Sequence, residues 1–197
     1  DTSLLHPASL SVAAWFKYNA LGGIQTISHK TLGTGVADSW TLGTENSSLS
    51  SWHCNNVNFN PFTQITSPIV ANQWYYGVST FDHVTKQHKL YIDGLLRSTN
   101  TFNSTIGYDN SKMLIGAGIE NNGPAFAMNG VVDEVNIYSG ALTPQQVLNE
   151  YVAQTSFNTK GSGNAISFDG SDDYVQTPLS LLNEATQFTI DFWVKTT

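Results

Sequence analysis

The residues best suited to bind a sugar fall in one stretch of the sequence. They comprise two tryptophans with a carboxylate, an imidazole and three amides nearby: Trp40, Trp52, Asp38, His53, Asn55, Asn56 and Asn58. Aromatic rings stack on the CH faces of sugars, and a few well-placed polar groups bind the hydroxyls. The cluster predicts a carbohydrate-binding face, although Trp40 and Trp52 suit a hydrophobic core equally well. The other three tryptophans, Trp15, Trp74 and Trp193, lie in strand-like patterns and are expected in the core.

A second group of side chains offers hard oxygen ligands. Asp169, Asp172 and Asp173 place three carboxylates in one predicted turn, DGSDD, and oxygen donors of this kind suit Ca²⁺. The turn is no EF-hand, because position 12 of such a loop would be Ser180 instead of Glu. The pattern therefore predicts a structural calcium site, the alternative being a tight Asp-Gly turn that Asp173 caps.

Residues that could support catalysis are not arranged for it. The histidines at positions 6, 29, 53, 83 and 88 are scattered, and none lies in a serine or cysteine nucleophile motif. The one cysteine, Cys54, excludes a disulfide within the chain and any multi-cysteine metal site. Asp133 and Glu134 are adjacent, so a regular strand would point them to opposite faces. We therefore expect a noncatalytic protein.

Composition excludes several other classes. The 197 residues include 15 Asp and Glu against 8 Lys and Arg, and this net charge of −7 argues against nucleic acid as a partner. A hydrophobic share of 40% with 12% aromatics argues against intrinsic disorder. No apolar run approaches the roughly 20 residues of a membrane span. Asn, Ser and Thr supply most of the polar surface, which favours a secreted or cell-surface protein. The start, Asp1-Thr2-Ser3, has no signal peptide, so we expect a mature form or a piece of a longer protein.

The elements that must position these residues are mostly short strands. Alternating or β-branched runs predict strands at 11–17, 25–28, 39–43, 49–54, 74–81, 88–92, 112–117 and 131–138. In the first of these, Val12, Ala14 and Phe16 share one face and Trp15 takes the other. Asp93-Gly94 is a hairpin-turn dipeptide. One helix is predicted from about Pro144 to Gln154, with a capping box that begins at Thr143. An all-β sandwich or barrel is the fold class indicated.

One segment occurs twice. Phe188–Lys195 (FTIDFWVK) aligns with Leu10–Lys17 (LSVAAWFK), and Trp15 and Trp193 lie 178 positions apart. That period has the size of a whole domain, so residues 1 to about 19 and 179 to 197 are interpreted as two copies of one segment. The alternative is two similar strands of a single sandwich.

Three blocks of sequence carry a family resemblance. They are AISFDGSDDYV at 165–175 with FTIDFWV at 188–194, WYYGV with TFD and LYIDG between 74 and 94, and GVVDEVNIYSGALT at 130–143. The chain resembles a bacterial laminin G-like domain of the concanavalin A-like lectin/glucanase type. The resemblance implies a two-sheet antiparallel jelly-roll sandwich with one short helix.

The resemblance also implies how the chain is organised. In the family the Phe-Asp-Gly strand comes first, whereas here it follows the helix. Residues 1–155 are therefore expected to form a sandwich body without its first strand, 156–163 a flexible linker, and 164–197 the opening strands of a second copy. These strands could complete the same sandwich, as in a circular permutant, or a neighbouring one, which would give a strand-exchanged homo-oligomer. The family's terminal strands are neighbours, so Asp133 could join Asp169 at the calcium site.

The functional expectation is a noncatalytic extracellular module of a larger repeat protein that binds a glycan or another surface protein. A structural spacer is the main alternative. A glycoside hydrolase fragment is the least favoured alternative, because the Glu-x-Asp-x-(x)-Glu strand signature of catalytic relatives has no match in this sequence.

Overall fold

The computed structural model describes residues 6–156, all within one compact unit. Its strands are β1 (Leu10–Tyr18), β2 (Ile24–Leu32), β3 (Ala37–Glu45), β4 (Ser48–Cys54), β5 (Phe62–Pro68), β6 (Tyr75–Asp82), β7 (Gln87–Ile92), β8 (Leu95–Thr101), β9 (Met113–Ile115), β10 (Gly118–Glu120), β11 (Gly123–Ala125) and β12 (Gly130–Tyr138). The helix α1 spans Pro144–Ser156. The predicted all-β architecture with one short helix is confirmed.

Two five-stranded antiparallel sheets form the sandwich. The back sheet has the order β12-β1-β6-β7-β8 and the front sheet the order β5-β4-β3-β2-β9. Hairpins join β3 to β4, β6 to β7 and β7 to β8, while β1 pairs with β6 and β12 through crossovers. The short β10–β11 hairpin forms a separate ribbon that contacts β2. This mixture of hairpins and crossovers is the jelly-roll connectivity expected from the resemblance.

The core lies between the two sheets and follows the two-residue period of the strands. On β1 the residues Leu10, Val12, Ala14, Phe16 and Tyr18 all face it, each 2% exposed or less. The front sheet contributes, among others, Ile27, Trp40, Leu42, Leu49 and Ile65. Burial of this alternating apolar face drives strand pairing, because each large side chain contributes about 1.5–3 kcal/mol when it leaves water. The predicted face of β1 is confirmed.

The helix covers the outer face of the back sheet. Val147 is fully buried against Ala13, Tyr76, Val78 and Tyr91. The capping box is also confirmed: Gln146 N donates to Thr143 Oγ1 at 3.3 Å, and Thr143 N donates to Gln146 Oε1 at 2.8 Å. Trp15, on the outer face of β1, packs between Tyr76 and Tyr151, with ring centroids 5.4 and 5.9 Å away. Trp15 is therefore half-buried beneath α1 and lies outside the inter-sheet core.

Several elements differ from the prediction. Four strands were not predicted: β5, β8, β10 and β11. Strand β5 buries two polar residues and so lacks an apolar alternation, and β8 is an exposed, polar edge strand. Trp74 was expected in the core, and this was wrong: it is 42% exposed, with Lys17 Nζ 5.6 Å from its ring centroid. Trp74 precedes β6, so strand alternation does not direct its side chain inward.

A β-bulge changes the face that the acidic pair on β12 presents. Ala13 of β1 pairs with Asn136, whereas Trp15, two residues further on, pairs with Asp133, so β12 contains one extra residue between these pairs. Within this bulge Glu134 has a φ of 48°. As a result Val132, Val135 and Ile137 pack against the core. Asp133 and Glu134 are both exposed instead of alternating between faces.

Some predictions fall outside the described residues. Trp193, Asp169, Asp172, Asp173 and the segment 164–197 are among them, as is the linker beyond Ser156, which is the last residue of α1. Within residues 6–156, no group of three or more His, Cys, Asp or Glu could hold a metal ion. The calcium site and the domain boundaries remain predictions.

Candidate functional site

A groove of about 250 Å³ lies on the face of the front sheet that is turned away from the core. Its floor is formed by β3, β4 and β5, where Trp52 is 8% exposed and Asp38 9%. The 55–61 loop and the first residue of β5 supply one wall, and the β10–β11 hairpin supplies the other. The turn between β2 and β3 adds Gly35 and Val36. The lining residues are Ile24, Gly35, Val36, Asp38, Glu45, Trp52, Phe59, Phe62, Gln64, Glu120 and Phe126.

Asp38 holds the indole of Trp52 in the floor. Its Oδ2 accepts hydrogen bonds from Trp52 Nε1 at 3.0 Å and from Thr41 Oγ1 at 2.9 Å. Its Oδ1 lies 3.0 Å from Nδ1 of the buried His29. Hydrogen bonds to a carboxylate are about twice as strong as neutral ones. The indole plane is therefore fixed before any ligand arrives, which reduces the entropy lost on binding.

The aromatic wall is built by Phe59 of the 55–61 loop and by Phe62 at the start of β5. Phe59 and Phe62 are 38% and 42% exposed, and their ring centroids are 5.6 Å apart. Asn56 shapes the loop, because its side chain donates to Asn60 O and accepts from Asn58 N at 2.9 Å. Large apolar side chains gain from burial, so two exposed rings side by side form an apolar patch on the surface. They are suited to contact a ligand.

The polar lining is acidic. Glu45 accepts a hydrogen bond from Gln64 Nε2, which also donates to Ser50 Oγ at 2.9 Å. Glu120 is exposed at the end of β10. Among the described residues no Lys or Arg lines this groove, and His29 is the only histidine that faces Asp38.

The sequence cluster is divided by the structure. Asp38 and Trp52 lie in the groove, whereas Trp40 is 1% exposed and belongs to the inter-sheet core. For Trp40 the core alternative therefore holds, because its side chain points between the sheets and cannot reach a ligand. The side-chain amide of Asn55 donates hydrogen bonds to the backbone oxygen of Thr105 at 2.9 Å and to its Oγ1 at 3.0 Å, so it is not directed at a ligand. Asn56 and Asn58 act within the loop and do not line the groove.

His53 is also inaccessible to a ligand, since it lies in the core. Its ring centroid is 4.2 Å from that of His88, and both residues are at most 1% exposed. Burial lowers the pKa of His53 to about 3, and the pKa of His88 is lowered by burial and by the nearby His53. His88 Nε2 lies 3.1 Å from Ser51 Oγ and 3.3 Å from Ser79 Oγ. Because this cluster is sealed between the sheets, it supports packing and not a reaction with an outside substrate.

Sequence reasoning missed the walls of the groove. Phe59, Phe62, Gln64, Glu45 and Glu120 lie there, and the first two were passed over because they follow the amide-rich stretch in a predicted loop. The exposed Phe-x-x-Phe spacing within a polar loop was a usable signal. The contribution of Glu45 and Glu120 depends on strand register and on the packing of the β10–β11 hairpin, which no local pattern reveals.

A laminin G-like family model described as the concanavalin A-like lectin/glucanases superfamily matches residues 1–148. The chain belongs to this superfamily. Its resemblance to laminin G-like domains is thereby confirmed. The name of the superfamily covers both lectins and glucanases, so membership alone does not distinguish binding from hydrolysis, and the residues of the site must do so.

Several solved structures similar to this superfamily member are binding domains. The CBM40 domain of a Ruminococcus gnavus IT-sialidase, bound to α2,3-sialyllactose, has a TM-score of 0.62 at 14% identity, covering 74% of this chain and 83% of its own. A Bacteroides ovatus protein described as carbohydrate-binding has a TM-score of 0.57 at 21% identity, with 72% of this chain and 40% of that chain covered. The binding domain of Paraclostridial Mosquitocidal Protein 1 has a TM-score of 0.60 at 17% identity, with coverages of 77% and 38%. At these identities the likeness shows the fold.

No curated protein sequence matches the chain significantly. Among the described residues, α1 is the only helix, and it is too short and too polar to cross a membrane.

Proposed function

We propose that this chain is a noncatalytic, extracellular carbohydrate-binding module that holds a glycan in the groove of the front sheet. The observation that carries the proposal is the immobilised Trp52 in the floor beside the exposed rings of Phe59 and Phe62. Concave sites lined mainly by apolar and aromatic side chains, with a few placed polar groups, are the usual composition of a small-ligand site. The carbohydrate-binding domains among the similar folds support the same assignment.

The size of the groove favours a short ligand. Its volume of about 250 Å³ lies just below the ~300–1,000 Å³ typical of small-molecule clefts. We therefore expect it to hold the terminal one or two sugars of a glycan. Binding is favoured over hydrolysis because Asp38, the most buried carboxylate of the groove, already accepts two hydrogen bonds and faces His29. A general acid of a glycosidase needs its proton available for the leaving group.

A glycan-array screen tests this function. Wild-type protein is compared with Phe62→Ala, which removes an exposed ring from the wall without opening the core. Loss of stacking should weaken binding about tenfold, equivalent to about 1.4 kcal/mol. Val84→Ala is the matched control, since Val84 is 84% exposed in the β6–β7 turn. Equal binding by all three proteins, or release of free sugar from the bound glycans, would contradict the proposal.

A second candidate function is self-assembly through strand exchange. Within residues 6–156, β12 pairs only with β1, so its outer edge presents backbone groups without a strand partner. Val132, Val135 and Ile137 of this strand are only partly buried. Exposed edges recruit further strands, and in the sequence of a neighbouring chain Ile166 and Phe168 have the two-residue apolar spacing of such a strand. Light scattering of the full chain over rising concentration tests the exchange: a monomer throughout would contradict it.

A further inference from the structure

The charges of the groove set a limit on the ligand. Three carboxylates line it, at Asp38, Glu45 and Glu120, and no Lys or Arg does so among the described residues. His29 lies 3.0 Å from Asp38 and faces its Oδ1, but it is buried and contributes no exposed positive group. The surface that a ligand meets therefore carries negative charge alone.

Glu45 and Glu120 carry most of this charge at the opening. Each lines the groove from a different element, Glu45 at the end of β3 and Glu120 at the end of β10. Neither forms an ion pair within residues 6–156; Glu45 instead accepts a neutral hydrogen bond from Gln64. Both carboxylates therefore face a ligand with no cationic partner among the described residues, and the formal charge of the whole chain, −7, adds to the same field.

We infer that the groove binds glycans without acidic groups, either uncharged or amine-bearing, and rejects sialylated and sulfated ones. This inference rests on the proposed function and names its ligand class. Sialic acid brings a carboxylate into the groove, where like charges repel and desolvation adds to the cost. The similar CBM40 domain has sialyllactose bound, so the same fold is here predicted to have the opposite preference. Neutral hydroxyls can instead donate to the free oxygens of Glu45 and Glu120.

The neutral ligand also matches the aromatic surface. Phe59 and Phe62 contact a sugar through its CH face, and this contact is strongest where no ionic group has to lose its water. An amine would add attraction to the two carboxylates. The inference therefore ranks ligands: amine-bearing sugars bind at least as well as the uncharged parent, and acidic forms bind more weakly.

Matched glycans provide the test. Immobilised wild-type chain is probed with lactose and sialyllactose, and with oligomers of N-acetylglucosamine, of glucosamine and of O-sulfated N-acetylglucosamine, at low and at high salt. The acidic member of each set should bind about tenfold more weakly than its neutral parent at low salt, and high salt should narrow the gap because it screens the carboxylates. The double variant Glu45→Gln/Glu120→Gln should bind acidic and neutral forms alike.

The outcomes separate this inference from the proposed function. If sialylated or sulfated glycans bind wild-type protein as tightly as their parents, or if the double variant keeps the full preference, the charge argument is overturned while glycan binding stands. If acidic glycans bind only with added calcium and lose binding with chelator, a bridging cation replaces the proposed rejection. If no glycan of any class binds and Phe62→Ala changes nothing, the proposed function fails and this inference with it.

Discussion

The two histidines sealed in the core make folding stability depend on pH. His53 on β4 and His88 on β7 have ring centroids 4.2 Å apart, beside Phe81, Ser51 and Ser79. Burial lowers the pKa of His53 to about 3 and lowers that of His88 as well. In the folded protein both rings therefore stay neutral through mildly acidic pH, whereas in the unfolded chain they take up protons below about pH 6.5.

The direction and size of the effect follow from linkage. Stability rises with pH wherever the unfolded state binds more protons, so the contribution is complete above pH 6.5 and is lost as the pH falls toward the folded pKa near 3. Each pH unit below 6.5 costs about 1.4 kcal/mol per histidine. At pH 5 the loss is about 2 kcal/mol for His53 alone, and the lowered pKa of His88 adds a loss in the same direction. That is a large part of a typical folding stability of about 5–15 kcal/mol.

Urea unfolding, followed by tryptophan fluorescence between pH 7.5 and 5, measures this loss. The window stays above the range in which ordinary carboxylates titrate. His53→Phe keeps an aromatic ring in the core but removes one titrating group, so its stability should fall less steeply than that of the wild type as the pH is lowered. His83→Gln is the control, because His83 lies in the β6–β7 turn and not between the sheets. A wild-type stability that is flat across the window, or an unchanged slope in His53→Phe, would refute the reasoning.

Three further predictions concern the groove, the helix and the calcium site. Asp38→Asn should lower the free energy of unfolding by about 1–3 kcal/mol, because hydrogen bonds to a charged group are replaced, and should change the fluorescence of Trp52; no change in either would contradict the positioning role. Thr143→Ala should cost about 1 kcal/mol through loss of the helix cap, measurable by thermal unfolding, with Thr143→Ser as the variant expected to stay near wild type. If the acidic turn at 169–173 and Asp133 bind structural calcium, chelator should lower the melting temperature of the full chain and added Ca²⁺ should restore it; equal melting curves would discard the site.

Much of the fold was predictable because strand alternation and family motifs act locally. Leu10 to Tyr18 shows the two-residue period without interruption, and the structure buries the predicted face. The helix was predictable from Thr143 and Gln146, whose spacing alone defines the capping box. The unpredicted strands lack such signals: β8 is an exposed edge strand, and β10 and β11 are three residues each.

The candidate site was less predictable because burial, and not residue type, decides which of its members are accessible. Trp40 and Trp52 have the same chemistry and neighbouring positions in paired strands, yet Trp40 faces the core and Trp52 the groove. His53 is directly opposite Trp40 in the strand register and shares its face. One position along the strand thus separates a core residue from a ligand-contacting one, and composition alone contains no information on that choice.

An irregularity in the front sheet explains how Asp38 and Trp40 can differ in role although they are two residues apart. In a regular strand these residues would share a face. The pairing of β2 with β3 passes from Lys30 opposite Trp40 to Thr31 opposite Asp38, so Ser39 is the extra residue of a bulge. The bulge lets Trp40 remain in the core while Asp38 turns outward to bind the indole of Trp52. Deleting Ser39 would therefore return Asp38 to the core side or expel Trp40 from it, and either result would remove the floor of the groove.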